Sequence, residues 1–387
     1  MKKETRVTHQ PEVTLPEGNR AVVPPIYRSV KFTFDEFSQG SQPGAFHYSR
    51  GGNPTLQQLE LLLSELQGQE AGVAVASGMA AVSLALLSSL RSGDHAVIFV
   101  ESYKPTRTLV RNILPRYGIT HSLLSVMDLD AMEEVFAWPE TRLVFFEAPT
   151  NPMLLVPDIE EILKRAHEHD VIAVLDNTFA GFHNHGQFNA DLFVHSLTKY
   201  ANGHGDVMGG IVLGSARQVR RLRPFASAFG PVLDPETAFM VLRGMKTYWV
   251  RYRQQCANAL RLAQFLEADN RVRAVRYPGL PGDPGHQLAK QQMQDFGGIV
   301  GFDIEGGASH TLAFVDALQL FTTSASLGST ESLVAPVKIY WADDLDADEL
   351  VRAGISDTTL RFAVGIEHID DLLADVAQAL DRTFTDD

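Results

Sequence analysis

The lysine best placed for chemistry is Lys199, one of nine lysines in the chain. It follows the apolar run Leu192–Val194, which predicts a strand. Ser196 and Thr198 alternate with a leucine, so in an extended chain their hydroxyls face one side together, as phosphate ligands would. Ligands of α/β sheets bind at strand ends, which favours a functional role for the amine. A lysine at a strand end can also serve packing or solubility alone.

A second segment with possible chemistry is Val73–Ala81 (VAVASGMAA), which predicts a strand, a small-residue turn and a helix. Gly78 lets the backbone approach an anion, and the helix start supplies unpaired N–H groups and the positive end of the dipole. Small residues at such turns are also common for packing. Together with Ser196 and Thr198, this segment predicts a phosphate-binding cup.

The third candidate is Asp176, which ends the apolar run Val171–Leu175 and precedes Asn177 and Thr178. An acid at this place is often the cap of the next helix. As a functional group it would pair with a protonated ring nitrogen. Pyridoxal phosphate (PLP) needs such a partner, because the cofactor withdraws electrons best as a pyridinium.

Short apolar runs that alternate with helical stretches predict the scaffold that positions these residues. Near-continuous apolar strands between helices indicate a mostly parallel sheet covered on both faces. A helix is predicted over Leu56–Leu66, with Asn53 as its cap and Pro54 at its first position. The predicted strands are Val73–Ala76, Ala96–Val100, Leu143–Phe146, Val171–Leu175, Leu192–Val194 and Ile211–Leu213.

The chain divides into three predicted regions. Residues 1–50, rich in Pro, Gly and polar side chains, are predicted to form an extended arm. Residues 51–245 would hold the large sheet and the cofactor, and residues 246–387 a smaller C-terminal α/β domain. The elements predicted beyond the large sheet are a long helical stretch over Asp234–Arg261, a strand at Ile299–Ile304, a helix near Leu312–Leu318 and a closing helix at Ile369–Leu380.

Composition excludes several classes of function. Lys plus Arg total 33 and Asp plus Glu total 47, and the net charge of −14 disfavours nucleic acid or an anionic membrane as the main partner. Cys256 is the only cysteine, so no internal disulfide forms and the cytoplasm is the expected compartment. Met1–Thr14 is too polar for a signal peptide, and no apolar run approaches the ~20 residues of a membrane helix.

The chain resembles the PLP-dependent cysteine and methionine metabolism enzymes of the cystathionine synthase and lyase type. The resemblance runs from about Tyr48 to Leu380, and its blocks occur in the family's order. They are Tyr48-Ser49-Arg50 with Asn53-Pro54-Thr55, Ser77-Gly78-Met79, Glu147–Pro152, Asp176-Asn177-Thr178, Ser196–Tyr200 with Gly203–Asp206, Ser326-Leu327-Gly328 and Arg361–Glu367. The resemblance implies the aspartate-aminotransferase-like fold (fold type I), with a mostly parallel central sheet and a smaller C-terminal α/β domain.

The same resemblance implies the roles of the residues. Lys199 would carry PLP covalently and then act as acid and base, while Tyr103 would stack on the ring and take part in catalysis. Arg361 would bind the substrate carboxylate, with Asn151 and Ser326 assisting. The implied cofactor ligands are Gly78, Met79, Ser196 and Thr198 at the phosphate, Asp176 at the ring nitrogen, Tyr48 and Arg50 from a neighbouring subunit, and Thr178. A homo-oligomer with shared active sites follows, a dimer at least or a tetramer.

The sequence indicates the type of reaction less clearly than it indicates the cofactor. Tyr103–Thr106 (YKPT) resembles the bacterial cystathionine β-lyases, whereas Asn53-Pro54-Thr55 is commoner among γ-acting relatives. Ala325 stands where many γ-synthases and γ-lyases carry Glu, and an alanine cannot bind the distal ammonium group of cystathionine. Ala335–Trp341 and Phe362-Ala363 also depart from the family pattern. The departures concern the substrate and leave the cofactor unchanged.

Three hypotheses from different classes therefore remain. The first is a lyase that eliminates a Cβ or Cγ substituent from a cysteine- or homoserine-type amino acid, giving a 2-oxoacid and ammonia; its substrate could be a non-sulfur γ-substituted amino acid. The second is a γ-replacement transferase like cystathionine γ-synthase or homoserine sulfhydrylase. The third is a non-catalytic or metal-binding protein of the same fold, supported by His183-Asn184-His185. That spacing without further ligands is more typical of a loop, so no metal is predicted, and Lys199 argues for catalysis.

Overall fold

Two β-sheets with packed helices form the part of the chain that the computed structural model describes, residues 17–33 and 44–385. The strands are β1 (Ala71–Val75), β2 (His95–Phe99), β3 (Thr120–Leu124), β4 (Thr141–Glu147), β5 (Ile172–Asp176), β6 (Leu192–Ser196), β7 (Gly210–Gly214), β8 (Val272–Arg276), β9 (Ile299–Ile304), β10 (Thr322–Thr323), β11 (Leu333–Pro336) and β12 (Thr359–Ala363). The α-helices are α1 (Pro54–Gln67), α2 (Gly78–Ser89), α3 (Lys104–Thr108), α4 (Leu129–Phe136), α5 (Ile159–Glu168), α6 (Ala216–Phe229), α7 (Pro235–Met245), α8 (Tyr248–Ala268), α9 (His286–Gln292), α10 (Ala308–Ala317), α11 (Val337–Trp341), α12 (Ala347–Ala353) and α13 (Ile369–Thr383).

The larger sheet has the strand order β1-β7-β6-β5-β4-β2-β3. Strand β7 runs antiparallel to both of its neighbours, and the other pairs are parallel. The predicted fold class, a mostly parallel central sheet with a smaller C-terminal α/β part, is confirmed. The sequence reasoning missed β3, because its half-exposed residues at the sheet edge do not form an apolar run.

Helix α1 forms for the reasons that its sequence indicates. The Asn53 side chain accepts a hydrogen bond from the Thr55 amide at 2.9 Å, and Pro54 occupies the first helical position, where its missing N–H costs nothing. Leu59 and Leu63, one turn apart, are fully buried against the large sheet. The helix ends at Gly68, whose φ of 69° is readily adopted only by glycine.

The predicted long helical stretch over Asp234–Arg261 is two helices, α7 and α8, separated at Lys246-Thr247. Tertiary contacts explain the break. Gly244 lies so close to the backbone of Asn202 that a Cβ atom would be 2.3 Å from its carbonyl oxygen. The Gly244 carbonyl accepts a hydrogen bond from Arg251 Nη2 at 3.0 Å, outside the helical ladder. Helical periodicity carries no information about such contacts.

The smaller sheet has the order β10-β11-β12-β9-β8 and is mainly antiparallel. Successive side chains of β12 point alternately into the core of this sheet and to its opposite face. Leu360 and Phe362 are buried in the core of this sheet, packed with Phe302 and Phe314. Arg361, between them, points to the opposite face. The packing of Leu360 and Phe362 in the core of the smaller sheet therefore fixes Arg361 on the face turned toward the larger sheet.

A network of neutral histidines is buried beneath the end of β5. His195 Nε2 lies 2.6 Å from Gln67 Oε1, and His185 Nδ1 lies 2.6 Å from Asn177 Oδ1. Burial lowers the pKa of each imidazole to about 3. Both rings therefore stay uncharged in the folded protein under conditions in which an unfolded chain protonates them.

We expect His185→Asn to reduce the loss of stability in mild acid. Between about pH 6.5 and pH 3 the unfolded state binds a proton at His185 and the folded state does not. The stability contribution of the neutral ring is therefore present above pH 6.5 and is lost as the pH falls, by about 1.4 kcal/mol per pH unit. Asparagine tolerates the φ of 66° at this position and offers an amide donor to Asn177.

The measurement is the free energy of unfolding in urea from pH 5 to pH 8. The variant should show a shallower pH slope below 6.5, together with a constant offset at pH 8 that reports the lost packing. A slope equal to that of the wild type would contradict a neutral, buried His185.

Candidate active site

A pocket of about 330 Å³ opens where the carboxyl ends of β4, β5 and β6 meet the start of α2. Arg361 of β12, Trp341 of α11 and the segment between β10 and β11 also contribute to its lining. It is lined by Ser77, Gly78, Met79, Val82, Tyr103, Glu147, Asn151, Asp176, Thr178, Phe179, Ser196, Thr198, Lys199, Met208, Ala325, Ser326, Leu327, Trp341 and Arg361. Most of the residues singled out from the sequence therefore line one cavity.

Lys199 reaches this pocket from a turn. The prediction that Ser196 and Thr198 share one side of an extended chain is wrong, because β6 ends at Ser196 and the next residues turn, with the Lys199 amide donating to the Ser196 carbonyl at 3.3 Å. Both hydroxyl residues nevertheless line the cavity. Lys199 Nζ donates a hydrogen bond to Ser326 Oγ at 2.9 Å. Burial, and then the charge of Arg361, lower the pKa of the amine to about 8, so the uncharged, nucleophilic form is more accessible near neutral pH than in an ordinary lysine.

The start of α2 forms a seat for an anion. Ser77 caps the helix and accepts a hydrogen bond from the Ala80 amide at 3.0 Å, while the first-turn N–H groups of Gly78 and Met79 have no carbonyl partner within the helix. A Cβ atom on Gly78 would lie 2.8 Å from Ser196 Cβ, so only glycine lets the helix approach the strand end this closely. Thr178 Oγ1 accepts from the Ser196 amide at 2.9 Å and joins the ends of β5 and β6. These groups suit a phosphate.

Two carboxylates lie side by side at the pocket floor. Glu147 and Asp176 are register partners at the ends of β4 and β5. Burial raises the pKa of Glu147 well above its ordinary value, and the charge of Asp176 raises it further. Burial also raises the pKa of Asp176, against the hydrogen bonds from Thr178. One shared negative charge is favoured on this pair of carboxylates, and a cation placed against Asp176 would stabilise its ionised form.

Glu147 was not singled out as a site residue from the sequence. Its Oε1 atom accepts a hydrogen bond from the Tyr103 amide at 2.6 Å, and so it fixes the turn that carries the tyrosine. Tyr103 itself is partly buried, and burial, with the nearby Glu147 charge, raises the pKa of its phenol. The signal in the sequence that could have identified Glu147 was its position at the end of β4, the strand next to β5.

Arg361 is a buried cation with unused hydrogen-bonding capacity. Its Nη1 donates to Asn151 Oδ1 at 2.8 Å and its Nη2 to the Ser326 carbonyl at 2.9 Å. Its Nε is buried without a hydrogen-bond partner among the described residues. Burial lowers the pKa of the guanidinium to about 9. A carboxylate would supply both the missing acceptor and the missing negative charge.

Several apolar side chains also line the pocket. Phe179, Met208 and Ala325 are among them, and the Trp341 ring lies over Arg361, with 3.7 Å between the ring centroid and Cζ. The acids among the lining residues are Glu147 and Asp176, and Glu147 already accepts from Tyr103. Sequence reasoning identified the stretch around Trp341 as atypical but gave this tryptophan no role.

Tyr48 and Arg50 do not line the Lys199 pocket in the single chain. They border a separate pocket of about 440 Å³, together with Glu60 and Arg223. Tyr48 is half exposed, and Arg50 Cζ lies 5.3 Å from its ring centroid. The predicted role of these two side chains in binding a neighbouring subunit's cofactor stays a prediction.

His183 and His185 face different partners. His183 Nδ1 lies 2.8 Å from Tyr248 Oη, whereas His185 Nδ1 faces Asn177. Over residues 17–33 and 44–385, no group of three or more His, Cys, Asp or Glu side chains could hold a metal ion. In the same part of the chain, no helix combines the length and apolar character needed to cross a membrane.

The donor set fits PLP. An amine of lowered pKa, an anion seat at a helix start and a carboxylate for a ring nitrogen all line one cavity. Gly78 leaves room for a phosphate, and Lys199 and Asp176 would supply the covalent attachment and the pyridinium partner that the cofactor requires.

Comparisons with known sequences agree with this chemistry. The model of the Cys/Met metabolism PLP-dependent enzyme family matches residues 4–381. L-methionine gamma-lyase of Pseudomonas putida is 40% identical over 370 residues, which cover 93% of this chain and 92% of that enzyme. Chloroplastic cystathionine gamma-synthase 1 of Nicotiana tabacum is 39% identical over 370 residues, again 93% of this chain. The chain spans 68% of that plant enzyme's length and 60% of its Arabidopsis thaliana counterpart.

Solved structures give the same result. Cystathionine gamma synthase from Xanthomonas oryzae pv. oryzae, solved in complex with aminoacrylate and cysteine, superposes with a TM-score of 0.90 at 35% sequence identity. The match covers 96% of this chain and 95% of that one. The fold type I architecture and the PLP cofactor predicted from the sequence are thereby confirmed. The chain belongs to the Cys/Met metabolism family of PLP-dependent enzymes.

Proposed function

We propose that this enzyme is a lyase that eliminates an uncharged substituent from Cβ or Cγ of a cysteine- or homoserine-type amino acid, giving a 2-oxoacid and ammonia. The observation that carries the proposal is the composition of the pocket. Groups for an α-amino acid line the same cavity as a set of apolar side chains that includes Ala325 and Trp341.

Arg361 binds the substrate carboxylate in this proposal. Its Nε has no partner among the described residues, and Asn151 and the Ser326 carbonyl hold its two terminal nitrogens in a fixed plane. A planar guanidinium fixed in this way matches a carboxylate through two parallel hydrogen bonds. The amino acid is thereby oriented with its Cα toward Lys199.

Lys199 moves the protons. PLP, when bound, draws electrons from the Cα of the attached amino acid, which makes the Cα proton removable. The Lys199 amine takes this proton, and for a Cγ substituent it delivers a proton at Cβ as well. Its flexible stem permits both positions, and Ser326 Oγ, 2.9 Å from Nζ, orients the amine between them.

The apolar lining residues support an uncharged substituent. A second ammonium or carboxylate placed against Ala325, Met208 and Phe179 would lose its hydration without gaining a partner from these side chains. A thioether or an ether group instead buries apolar surface there. The methionine gamma-lyase named above, by its name, acts on a substrate of this kind.

The test is a measurement of the 2-oxoacid and the leaving group released by the purified holoenzyme. Methionine, an O-alkyl homoserine, cysteine and cystathionine are compared at equal concentrations. We expect the uncharged methionine or ether substrate to give a higher kcat/KM than cystathionine. A three-carbon oxoacid places the elimination at Cβ and a four-carbon oxoacid places it at Cγ. A preference for cystathionine, or no oxoacid from any of them, would overturn the proposal.

The similarity to cystathionine gamma-synthases in sequence and structure favours γ-replacement as a second candidate. It is tested by feeding an activated homoserine with and without cysteine. A thioether product that replaces the 2-oxoacid when cysteine is present would identify the replacement reaction.

We further propose that the enzyme works as a homodimer at least, with each site completed by the neighbouring subunit. The proposal rests on the position of Tyr48 and Arg50, which border a different cavity from Lys199. A tetramer and a cytoplasmic location stay predictions, the latter because a single cysteine suits a reducing compartment.

We expect Arg50→Ala to weaken PLP retention without unfolding the chain. The guanidinium would otherwise form charge-assisted bonds with a phosphate, each worth about 1.5–3 kcal/mol, so the dissociation constant for PLP should rise about 10- to 100-fold. Equilibrium dialysis of the cofactor measures it. Arg28→Ala is the matched control, because Arg28 is exposed and pairs with Glu236 of its own chain.

Mixing two variants, at a PLP concentration that saturates the wild type but leaves Arg50→Ala largely without cofactor, tests the shared site directly. A hybrid of Lys199→Ala and Arg50→Ala subunits contains one site in which both residues are intact. Random exchange should restore activity to about a quarter of the wild-type level. Wild-type PLP affinity in Arg50→Ala, or no restored activity after subunit exchange is verified, would contradict the proposal.

A further inference from the structure

Arg107 is a fully buried arginine that the proposed chemistry does not use. It lies in α3, one turn after Tyr103. Its Nε and Nη2 form a bidentate pair with the Asp344 carboxylate, at 3.0 and 2.6 Å. Its remaining bonds go to main-chain carbonyls: Nη1 donates to those of Val100, at 3.1 Å, and Ser102, and Nη2 donates to that of Trp341.

These carbonyls come from two segments of the chain, each of which carries an aromatic residue that lines the pocket. Val100 and Ser102 form the turn that carries Tyr103, which follows β2 of the larger sheet. Trp341 ends α11, which follows β11 of the smaller sheet, and its ring covers Arg361. One guanidinium therefore holds the aromatic residue predicted to face the cofactor and the aromatic residue that covers the carboxylate-binding arginine.

Trp341 has two effects on Arg361. The ring lies 3.7 Å from Cζ, so it attracts the cation and also removes water from one face of it. Arg361 keeps its edge free, with Nε unpartnered among the described residues. A desolvated guanidinium with an open edge binds a carboxylate more strongly than a hydrated one, because the attraction acts in a medium of lower dielectric.

We propose that Arg107 and Asp344 form a positioning pair that holds Trp341 over Arg361 and thereby sets the affinity of the site for the substrate carboxylate. The inference rests on the proposed function only in assigning the carboxylate to Arg361. Arg107 touches neither substrate nor cofactor, and its effect passes through Trp341.

The acidic residue that precedes Asp344 offers a matched control. Asp343, next to Asp344, pairs with Lys104 at 2.5 Å, but this ion pair is solvent-exposed, with about half of the Asp343 side chain accessible. Asp343→Asn and Asp344→Asn make the same chemical change at adjacent positions. Exposed ion pairs contribute little, whereas a buried arginine that loses its anion is strongly affected. The two variants should therefore differ.

The experiment measures binding of L-alanine and of ethylamine to the PLP-loaded enzyme by the change in visible absorbance. Neither probe carries a leaving group, and ethylamine is alanine without the carboxylate. We expect Asp344→Asn to weaken alanine binding about tenfold, within the range of coupling between contacting residues, and to leave ethylamine binding and PLP retention unchanged. Asp343→Asn should bind both probes like the wild type.

One further variant keeps the proposal testable if Asp344→Asn does not fold, and a double variant tests the coupling if it does. Trp341→Leu preserves the main-chain carbonyl that Arg107 holds and removes only the ring, so it too should weaken alanine binding and spare ethylamine. In a Trp341→Leu background, Asp344→Asn should add less than about a twofold effect, since both changes act through one ring.

Equal weakening of alanine and ethylamine by either Asp344→Asn or Trp341→Leu would overturn the proposal, as would fully additive effects. The same holds for an unchanged alanine affinity in Trp341→Leu. Alanine binding does not depend on which elimination the enzyme performs. Failure of the proposed lyase activity would instead appear as absence of a 2-oxoacid, with the pattern of probe binding intact.

Discussion

Lys199→Ala should lose nearly all turnover, by about 10²–10⁴-fold or more, because the variant lacks both the attachment point of the cofactor and the group that moves protons at Cα. The visible absorbance of the lysine-linked cofactor should disappear as well. The chain should still fold, since truncating the side chain removes a partly buried amine whose hydrogen bond goes to the Ser326 hydroxyl. Steady-state kinetics and an absorbance spectrum of the dialysed protein measure both effects.

The control for this variant is Lys290→Ala, which removes an exposed lysine of α9. It should match the wild type in absorbance and in rate. Retention of the lysine-linked absorbance by Lys199→Ala would mean that another lysine carries PLP, and the assignment of the pocket would then be wrong.

Asp176→Asn should lower kcat about 10- to 100-fold and also stabilise the cofactor-free protein. The rate falls because an amide cannot hold the ring nitrogen in its protonated form, and a charge-assisted hydrogen bond of about 1.5–3 kcal/mol is lost from the barrier. The stability rises because Glu147, the register partner of Asp176, no longer has a second carboxylate beside it. The hydrogen bond from the Thr178 amide to Oδ1, at 3.0 Å, survives the change.

Kinetics of the PLP-loaded enzyme and urea unfolding of the cofactor-free enzyme at pH 8 measure the two effects separately. Asp158→Asn is the control, since asparagine replaces aspartate as a helix cap without loss. An unchanged kcat would remove Asp176 from the chemistry. A lower stability of the cofactor-free variant would contradict the repulsion between the two carboxylates.

The sequence predicted the elements of the large sheet well, because its buried parallel strands are near-continuous apolar runs. Strands β3, β8, β10, β11 and β12 were not predicted. Strands β3 and β8 are only partly buried and have no such run, and β10 has two residues. Strands β11 and β12 are buried, but the apolar run of the first is short and ends in a proline, and Arg361 interrupts that of the second. The break between α7 and α8 was missed for a different reason. It depends on Gly244 packing against Asn202, a contact between distant parts of the chain.

Some residues of the candidate site could likewise be predicted from the sequence, and others could not. Lys199, Asp176 and Gly78 could be proposed from residue type and position at strand and helix ends, and the ordered family blocks added Tyr103 and Arg361. Glu147, Trp341 and Arg107 could not be assigned roles from the sequence. Their roles arise from a register pairing, a cation–π contact and a buried hydrogen-bond set that join segments up to 237 positions apart.

The central claim is that the pocket around Lys199 holds PLP and performs the chemistry. Reduction of the holoenzyme with borohydride, followed by proteolysis and mass spectrometry, fixes the cofactor to the lysine that carries it. We expect the cofactor mass on the peptide that contains Lys199. Its appearance on a peptide with any of the other eight lysines of the chain would contradict the claim.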